Sequence, residues 1–127
     1  MNFPSDLRYT KSHEWVRIDG DEAVVGITDY AQSELGDIVY VELPEKGRFL
    51  QAEETLGVVE SVKTVSDVYA PVSGEVVDIN DELEAGSEVV NSDPYGAAWF
   101  LRIKMSDPGE LDALMDHAAY QKHVQES

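Results

Sequence analysis

The stretch "GVVESVKTVSDVYAPVSGEVV", Gly57 to Val77, decides how the rest of the chain is read. Val58 to Val62 and Thr64 to Tyr69 are two runs rich in β-branched residues, and Lys63 stands between them. Such runs favour strands, so the pattern predicts a hairpin with Lys63 near its tip. Lys63 is the only lysine or arginine between Arg48 and Arg102, and Glu60 and Asp67 flank it. A lysine at such a tip projects its amine into water from a backbone held by cross-strand pairing. That placement suits a modifying enzyme that must find one amine among five lysines. It also suits an arm that needs reach from a fixed root. The plainer alternative is a solvated turn lysine.

Working outward, short strands separated by turn residues predict a mainly β fold, a flattened barrel or sandwich. "EWVRIDGDEAVVGI" (14–27) reads as a hairpin turning at Asp19-Gly20-Asp21. "TDYAQSELG" (28–36) reads as a short internal helix, with Thr28 or Asp29 as cap and Gly36 as terminator. "DIVYVEL" (37–43) is then expected to be a core strand with apolar side chains on both faces. "LPEKGRFLQAEETL" (43–56) aligns without gaps to "APVSGEVVDINDEL" (70–83), sharing Pro, Gly and a final Leu. If real, that repeat relates two halves of the fold by an approximate two-fold axis. In "SDPGELDALMDHAAYQKHV", Ser106 or Asp107 caps a helical segment, and Leu111, Leu114, Met115 and Ala118 fall at helical spacing. Asp116 offers a second cap that places Tyr120. The expected organisation is one domain over 1–127, with its core at roughly 7–105 and the helical segment at roughly 107–125.

Composition excludes several classes of function. The formal net charge is −17, from 26 acidic and 9 basic residues. That field repels phosphate backbones and anionic membranes, so neither nucleic acid nor membrane is an expected partner. It attracts proteins with basic patches, or else keeps the surface solvated. There is no cysteine, hence no disulfide and no thiol nucleophile. The start "MNFPSDLRYTKSHEW" lacks the apolar stretch of a secretory signal and the character of a transit peptide. A cytoplasmic, monomeric protein is the expectation. His13, His117 and His123 are scattered and match no metal-ligand spacing, and His117 and His123, in the helical tail, read as surface groups. No nucleophile elbow, P-loop or dinucleotide fingerprint occurs, so an enzyme reading has no positive support.

"ESVKTVSD", followed by "PVSGEVVDIN" and "VVNSDPYG", resembles the H protein family of the glycine cleavage system. "SHEWV", "VGITDYAQSELGDIVYVELP" and "GELDALMDHAAY" extend the resemblance over nearly the whole chain. Biotin carriers share the hairpin but usually carry Met on both sides of the lysine; Val62 and Thr64 stand there instead, which favours lipoate. The resemblance implies a lipoyl-domain-like hybrid barrel bearing lipoate in amide linkage on Lys63, within a motif that includes Glu60, Ser61, Val62 and Asp67. It implies a non-catalytic carrier that shuttles the aminomethyl group of glycine from the decarboxylase (P protein) to the aminomethyltransferase (T protein). Electrons then pass to dihydrolipoamide dehydrogenase (L protein), and lipoate-attaching enzymes are a fourth partner. Donation of lipoyl groups to other enzymes and an unmodified interaction domain are the competing roles. The loaded arm is expected to fold back onto the domain, its ammonium meeting Ser12, Glu14 and Asp67. One departure is Ala97-Ala98 before Trp99, where the family often has Gly next to the tryptophan. Trp15, Tyr95 and Trp99 are read as packing residues.

Overall fold

The computed structural model describes residues 1–126. Two antiparallel sheets face one another across a shared apolar core. The larger is built from β1 (Arg8–Tyr9), β2 (Glu14–Asp19), β3 (Glu22–Ile27), β5 (Phe49–Leu50), β8 (Gly74–Ile79) and β9 (Leu101–Met105), in the order β1-β2-β3-β9-β8-β5. The smaller contains β4 (Ile38–Glu42), β6 (Thr55–Ser61) and β7 (Val65–Tyr69), in the order β4-β6-β7. Val16, Val25, Leu101, Ile103 and Val76 from the first sheet meet Val41, Val59, Leu56 and Val68 from the second in one buried cluster. The architecture is the mainly β sandwich that the strand spacing predicts.

The hairpin at 14–27 forms as read, with Gly20 at φ +63° in its turn. The internal helix α1 (Asp29–Leu35) also forms. Thr28 is its cap, the hydroxyl accepting from Ala31 N–H, and Gly36 ends it with φ +80°, a conformation that costs glycine least. The repeat has a structural counterpart in the β5–β8 ladder, where Phe49 pairs with Glu75 and Leu50 with Gly74, while Val76 N–H donates to Arg48 C=O. Shifting these pairs by the repeat offset maps the ladder onto itself. Beyond it the copies diverge: Leu56 enters strand β6, whereas Leu83 enters the short helix α2 (Glu82–Ala85). Both leucines are buried.

Three expectations are corrected. β4 is not a core strand but an edge strand of the smaller sheet. A register shift between Ile38 and Tyr40 breaks the alternation, so Val39 and Tyr40 both face solvent while Ile38 and Val41 are buried. The C-terminal segment is not one stripe. Asp107 caps a 3-10 helix at Pro108–Ala113, and the chain then extends so that Met115 and Tyr9 exchange backbone hydrogen bonds. Asp116 starts α4 (His117–Gln125), which buries Tyr120 but leaves Ala118 exposed. His123 is not a free surface group, because its Nε2 lies 3.1 Å from Lys11 C=O.

A second cluster, Leu7, Tyr9, Trp15, Val24 and Tyr120, seats α4 on the larger sheet. Tyr9 and Tyr120 stack with ring centroids 4.6 Å apart, and Trp15 donates from Nε1 to Pro94 C=O at 2.9 Å. Tyr95 and Trp99 pack against this cluster, as read. The short helix α3 (Val89–Ser92) completes the fold between α2 and β9.

Candidate functional site

Lys63 stands in a four-residue turn that its neighbours close tightly. Ser61 N–H donates to Thr64 C=O at 2.8 Å. The buried Ser61 hydroxyl accepts from Lys63 N–H and Thr64 N–H, at 3.3 and 3.1 Å. Val62 N–H donates to Asp37 C=O at 3.0 Å, which joins the turn to the loop after α1. That loop is braced in its turn by Asn91. The Asn91 amide donates to Gln32 Oε1 and to Gly36 C=O, and its oxygen accepts from Ile38 N–H, each at 2.9 Å. A Cβ on Gly36 would sit 3.4 Å from Lys63 Cε, so the lysine stem lies over a glycine. The Lys63 amine is exposed and takes part in none of the ion pairs among the described residues. It is a free amine on a rigid root.

From that root a row of side chains runs along one face. Alternation along β7 puts Val65, Asp67 and Tyr69 on the outer face of the smaller sheet, spanning about 13 Å at ~3.3 Å per residue. Tyr69 at the far end lines a cavity of about 430 Å³, together with Thr10, Ser12, Glu14, Pro71, Glu110 and Leu114 among others.

Glu14 is the buried acid of that cavity. Its Oε1 accepts from the Thr10 and Ser12 hydroxyls, both at 2.6 Å, and its Oε2 from Tyr69 N–H at 3.3 Å. Burial pushes its pKa up, and these three hydrogen bonds pull against the shift. Next to it His13 adopts φ +75°, which turns the chain so that Ser12 and Glu14 converge. His13 Nδ1 lies 2.7 Å from the Tyr120 hydroxyl, and Thr28 Oγ1 lies 2.7 Å from the same oxygen. Burial, and then the neighbouring His123, hold the His13 pKa below its usual value.

The structure therefore brings Ser12 and Glu14 together in one cavity and sets Lys63, Glu60, Ser61 and Val62 together at the turn. Asp67 does not line the cavity. It is exposed midway along the row between the two, opposite Val58. Thr10, Tyr69 and Asn91 escaped the reading of the sequence. Thr10 stands two residues before Ser12, a spacing that invites a shared acceptor, but Tyr69 and Asn91 reach their partners from 55 and 53 or more residues away.

A family model described as Glycine cleavage H-protein matches residues 7–127. The chain belongs to this H-protein family. Curated relatives named glycine cleavage system H protein include one from Symbiobacterium thermophilum, 55% identical over 125 residues and covering 98% of each chain. Another, from Thermus thermophilus, is 57% identical over 122 residues, covering 96% of this chain and 95% of its own. The crystal structure of a glycine cleavage system H protein from Mycobacterium marinum superposes with a TM-score of 0.89 at 40% identity, over 97% of this chain and 99% of that one. H-protein likeness thus extends across both sheets and the C-terminal helix. No described helix is long and apolar enough to cross a membrane.

Proposed function

We propose that this chain is the lipoyl carrier of a glycine cleavage system, with lipoate in amide linkage on Lys63. The observation that carries the reading is the geometry: a free amine on a braced turn, and a same-face row leading from it to a cavity with a buried carboxylate. The donor chemistry fits the group, since an exposed primary amine is what an amide bond to a carboxylic acid needs. When attached, lipoate would supply a disulfide that is reduced as it takes up a one-carbon amine and a dithiol that afterwards gives up two electrons, chemistry that a chain without cysteine cannot supply.

The chain's own residues do the rest. Ser61, Asp37 and Asn91 fix the root, so that the arm swings about the lysine stem and not about a mobile loop. The β7 face guides an arm whose extended length, stem plus eight-carbon acyl chain, is on the order of 14 Å by ordinary bond lengths. Glu14 and Ser12 accept hydrogen bonds from a cationic cargo in the cavity, where walls from Tyr69, Pro71 and Leu114 exclude water. Asp67 adds a carboxylate along the way. The P, T and L proteins are the enzymes this carrier serves in the cytoplasm. The chain itself catalyses no step.

The test is intact mass of protein purified from lipoate-replete cells, with peptide mapping of any adduct. One lipoyl group on Lys63 supports the reading. An unmodified mass in every preparation, or lipoate on Lys11, Lys46, Lys104 or Lys122, overturns it.

A further inference from the structure

Glu110 stands three residues after Asp107, the cap of the 3-10 helix at Pro108–Ala113. At that spacing a glutamate can return to the N–H of the cap residue. Glu110 turns away instead. Its Oε1 accepts from Ser73 N–H at 2.7 Å, and its Oε2 from the Ser73 hydroxyl at 2.8 Å. Ser73 Oγ in turn accepts from Ala52 N–H at 2.9 Å, and Ser73 C=O from Ser106 N–H at 3.0 Å. Ser73 thus ties Ala52, the start of β8 and the C-terminal segment together. This clasp and the backbone pair between Met115 and Tyr9 fix the two ends of the stretch 110–115. Glu110, Leu114 and Met115 of that stretch line the cavity around Glu14 as one wall. A second hollow of about 390 Å³, lined by Phe49, Gln51, Ser73 and Asp107 among others, lies against it. Glu110 and Ala52 line both, so the clasped pair is the partition between them.

Resting on the carrier reading above, we propose that Glu110 is a positioning residue that shelters the cargo: its clasp on Ser73 holds the C-terminal wall shut and closes the partition to water. Loss of the cargo consumes one water. The carbon's bonds to sulfur and to nitrogen break, and the water oxygen ends on that carbon as formaldehyde. The sulfur takes a proton, ammonia leaves as ammonium, and nothing is oxidised or reduced. Shelter therefore depends on how seldom water reaches the carbon while the arm is docked. The arm enters from the β7 side, past Tyr69, whereas Glu110 borders the second hollow. An opening at Glu110 admits water without moving the arm. The wall needs a fastening. No residue of its 3-10 helix is buried, and Asp112 and Ala113 are exposed, which places it among the segments that open most readily. Paired hydrogen bonds to a carboxylate are stronger than bonds between neutral groups, and they offset that tendency. Glu110 acts through the wall and not by contact with the reacting carbon.

The experiment compares wild type with Glu110→Ala, Glu110→Gln, Ser73→Ala and the control Asp112→Ala, which removes an exposed carboxylate from the same helix. The first measurement is amide hydrogen exchange by NMR on the unmodified chain, at Ala52 and Leu114, with Val59 in the buried core as reference. The second is decay of aminomethyl-loaded protein without partner enzymes, against aminomethylated dihydrolipoamide free in solution. Glu110→Ala should exchange tenfold or more faster at Ala52 and Leu114 and lose cargo five-fold or more faster, with Val59 unchanged. Glu110→Gln keeps an oxygen for Ser73 N–H and an NH₂ for the Ser73 hydroxyl, so it should stay within two-fold in both, as should Asp112→Ala. Ser73→Ala keeps one of the two clasp bonds and should fall between. Where Glu110→Ala does not fold, Ser73→Ala decides by the same two measurements. Wild-type exchange in the clasp variants overturns the clasp, and fast exchange with wild-type decay overturns its role in shelter. A Glu110→Gln that loses cargo as fast as Glu110→Ala assigns the effect to charge and overturns the proposal as well. Loaded wild type that decays as fast as the free compound removes shelter altogether, and the proposal with it. Lipoate on Lys63 of the wild type tests the carrier reading separately.

Discussion

The root at Lys63 and the cavity at Glu14 are held by opposite means. The root is exposed, and its order comes from backbone hydrogen bonds and two polar side chains, Ser61 and Asn91. The cavity borders the packed cluster of Trp15 and Tyr120 through Tyr9 and Met115, which line it, and it keeps an acid out of water with three hydrogen bonds for company. Substitutions at the root should therefore change chemistry with little effect on stability. Substitutions at the cavity should change stability, the holding of cargo, or both. A root that loosens the fold when altered, or a cavity whose alteration changes neither stability nor the holding of cargo, would break the comparison.

The largest expected effect is at the root. Arginine keeps the charge of Lys63 but offers no nucleophilic amine, so Lys63→Arg should abolish acylation completely. Its melting temperature should stay within a degree or two of wild type, because the side chain is exposed and unpaired. Mass spectrometry and a thermal melt check both halves, and residual acylation would show that a second lysine serves as a root.

Trp15→Ala tests the other side. Trp15 is fully buried beside Glu14, and its ring covers Gly26 so closely that a Cβ there would lie 2.6 Å from the indole. Truncation leaves a cavity and orphans Pro94 C=O, for a loss of roughly 3–5 kcal/mol. Denaturant unfolding measures it. Acylation of whatever fraction remains folded should be nearly normal, since the Lys63 turn is braced independently.

The same contrast governs what could be read from the sequence. The hairpin around Lys63 was legible because β-branched runs and a lone lysine are local signals. Helix α1 was legible because Thr28 and Gly36 mark its ends. Helices α2 and α3 were not, since each is four residues long and neither Asp81 nor Glu88 makes a side-chain capping bond. The outward turn of Val39 and Tyr40 depends on a register shift that alternation alone cannot announce. At the C-terminus, the pairing of Met115 with Tyr9 overrode a helical stripe. Ser12 and Glu14 could be placed in a cleft only through resemblance, because Tyr69 closes the network from 55 residues away.

Glu14→Gln sharpens the comparison within the cavity. Burial raises the folded pKa of Glu14 above its unfolded value. The stability linked to this group is therefore fully present below about pH 4.5, the ordinary glutamate range, and is lost as pH rises through the folded pKa. Glutamine carries no such penalty. Its oxygen can accept from Tyr69 N–H while its NH₂ donates to the Thr10 and Ser12 hydroxyls, so the network survives. The melting temperature of Glu14→Gln relative to wild type should rise with pH across that window. Cargo holding should fall, since a hydrogen bond to a charged group contributes about 1.5–3 kcal/mol. Decay of aminomethyl-loaded protein, followed without partner enzymes, should speed up several-fold or more. Equal decay would leave shape alone to shelter the arm.

The smallest effect is expected at Asp67, where root and cavity meet. Its carboxylate is exposed on the β7 face, in neither the turn's clamp nor the cavity wall. An ammonium passing over it gains the attraction of a solvent-exposed pair, about 0–1 kcal/mol, because water and salt compete. The loaded arm, moreover, can satisfy its ammonium at Glu14, so Asp67 is left with the undocked fraction. Asp67→Asn should therefore speed decay of loaded protein by less than two-fold at physiological salt and not at all at high salt. Glu14→Gln should keep most of its effect at both salt concentrations. If the Asp67 substitution matches Glu14→Gln, the cargo is held on the open strand and not in the cavity, and the division between an exposed root and a sheltering cradle no longer describes how this carrier works.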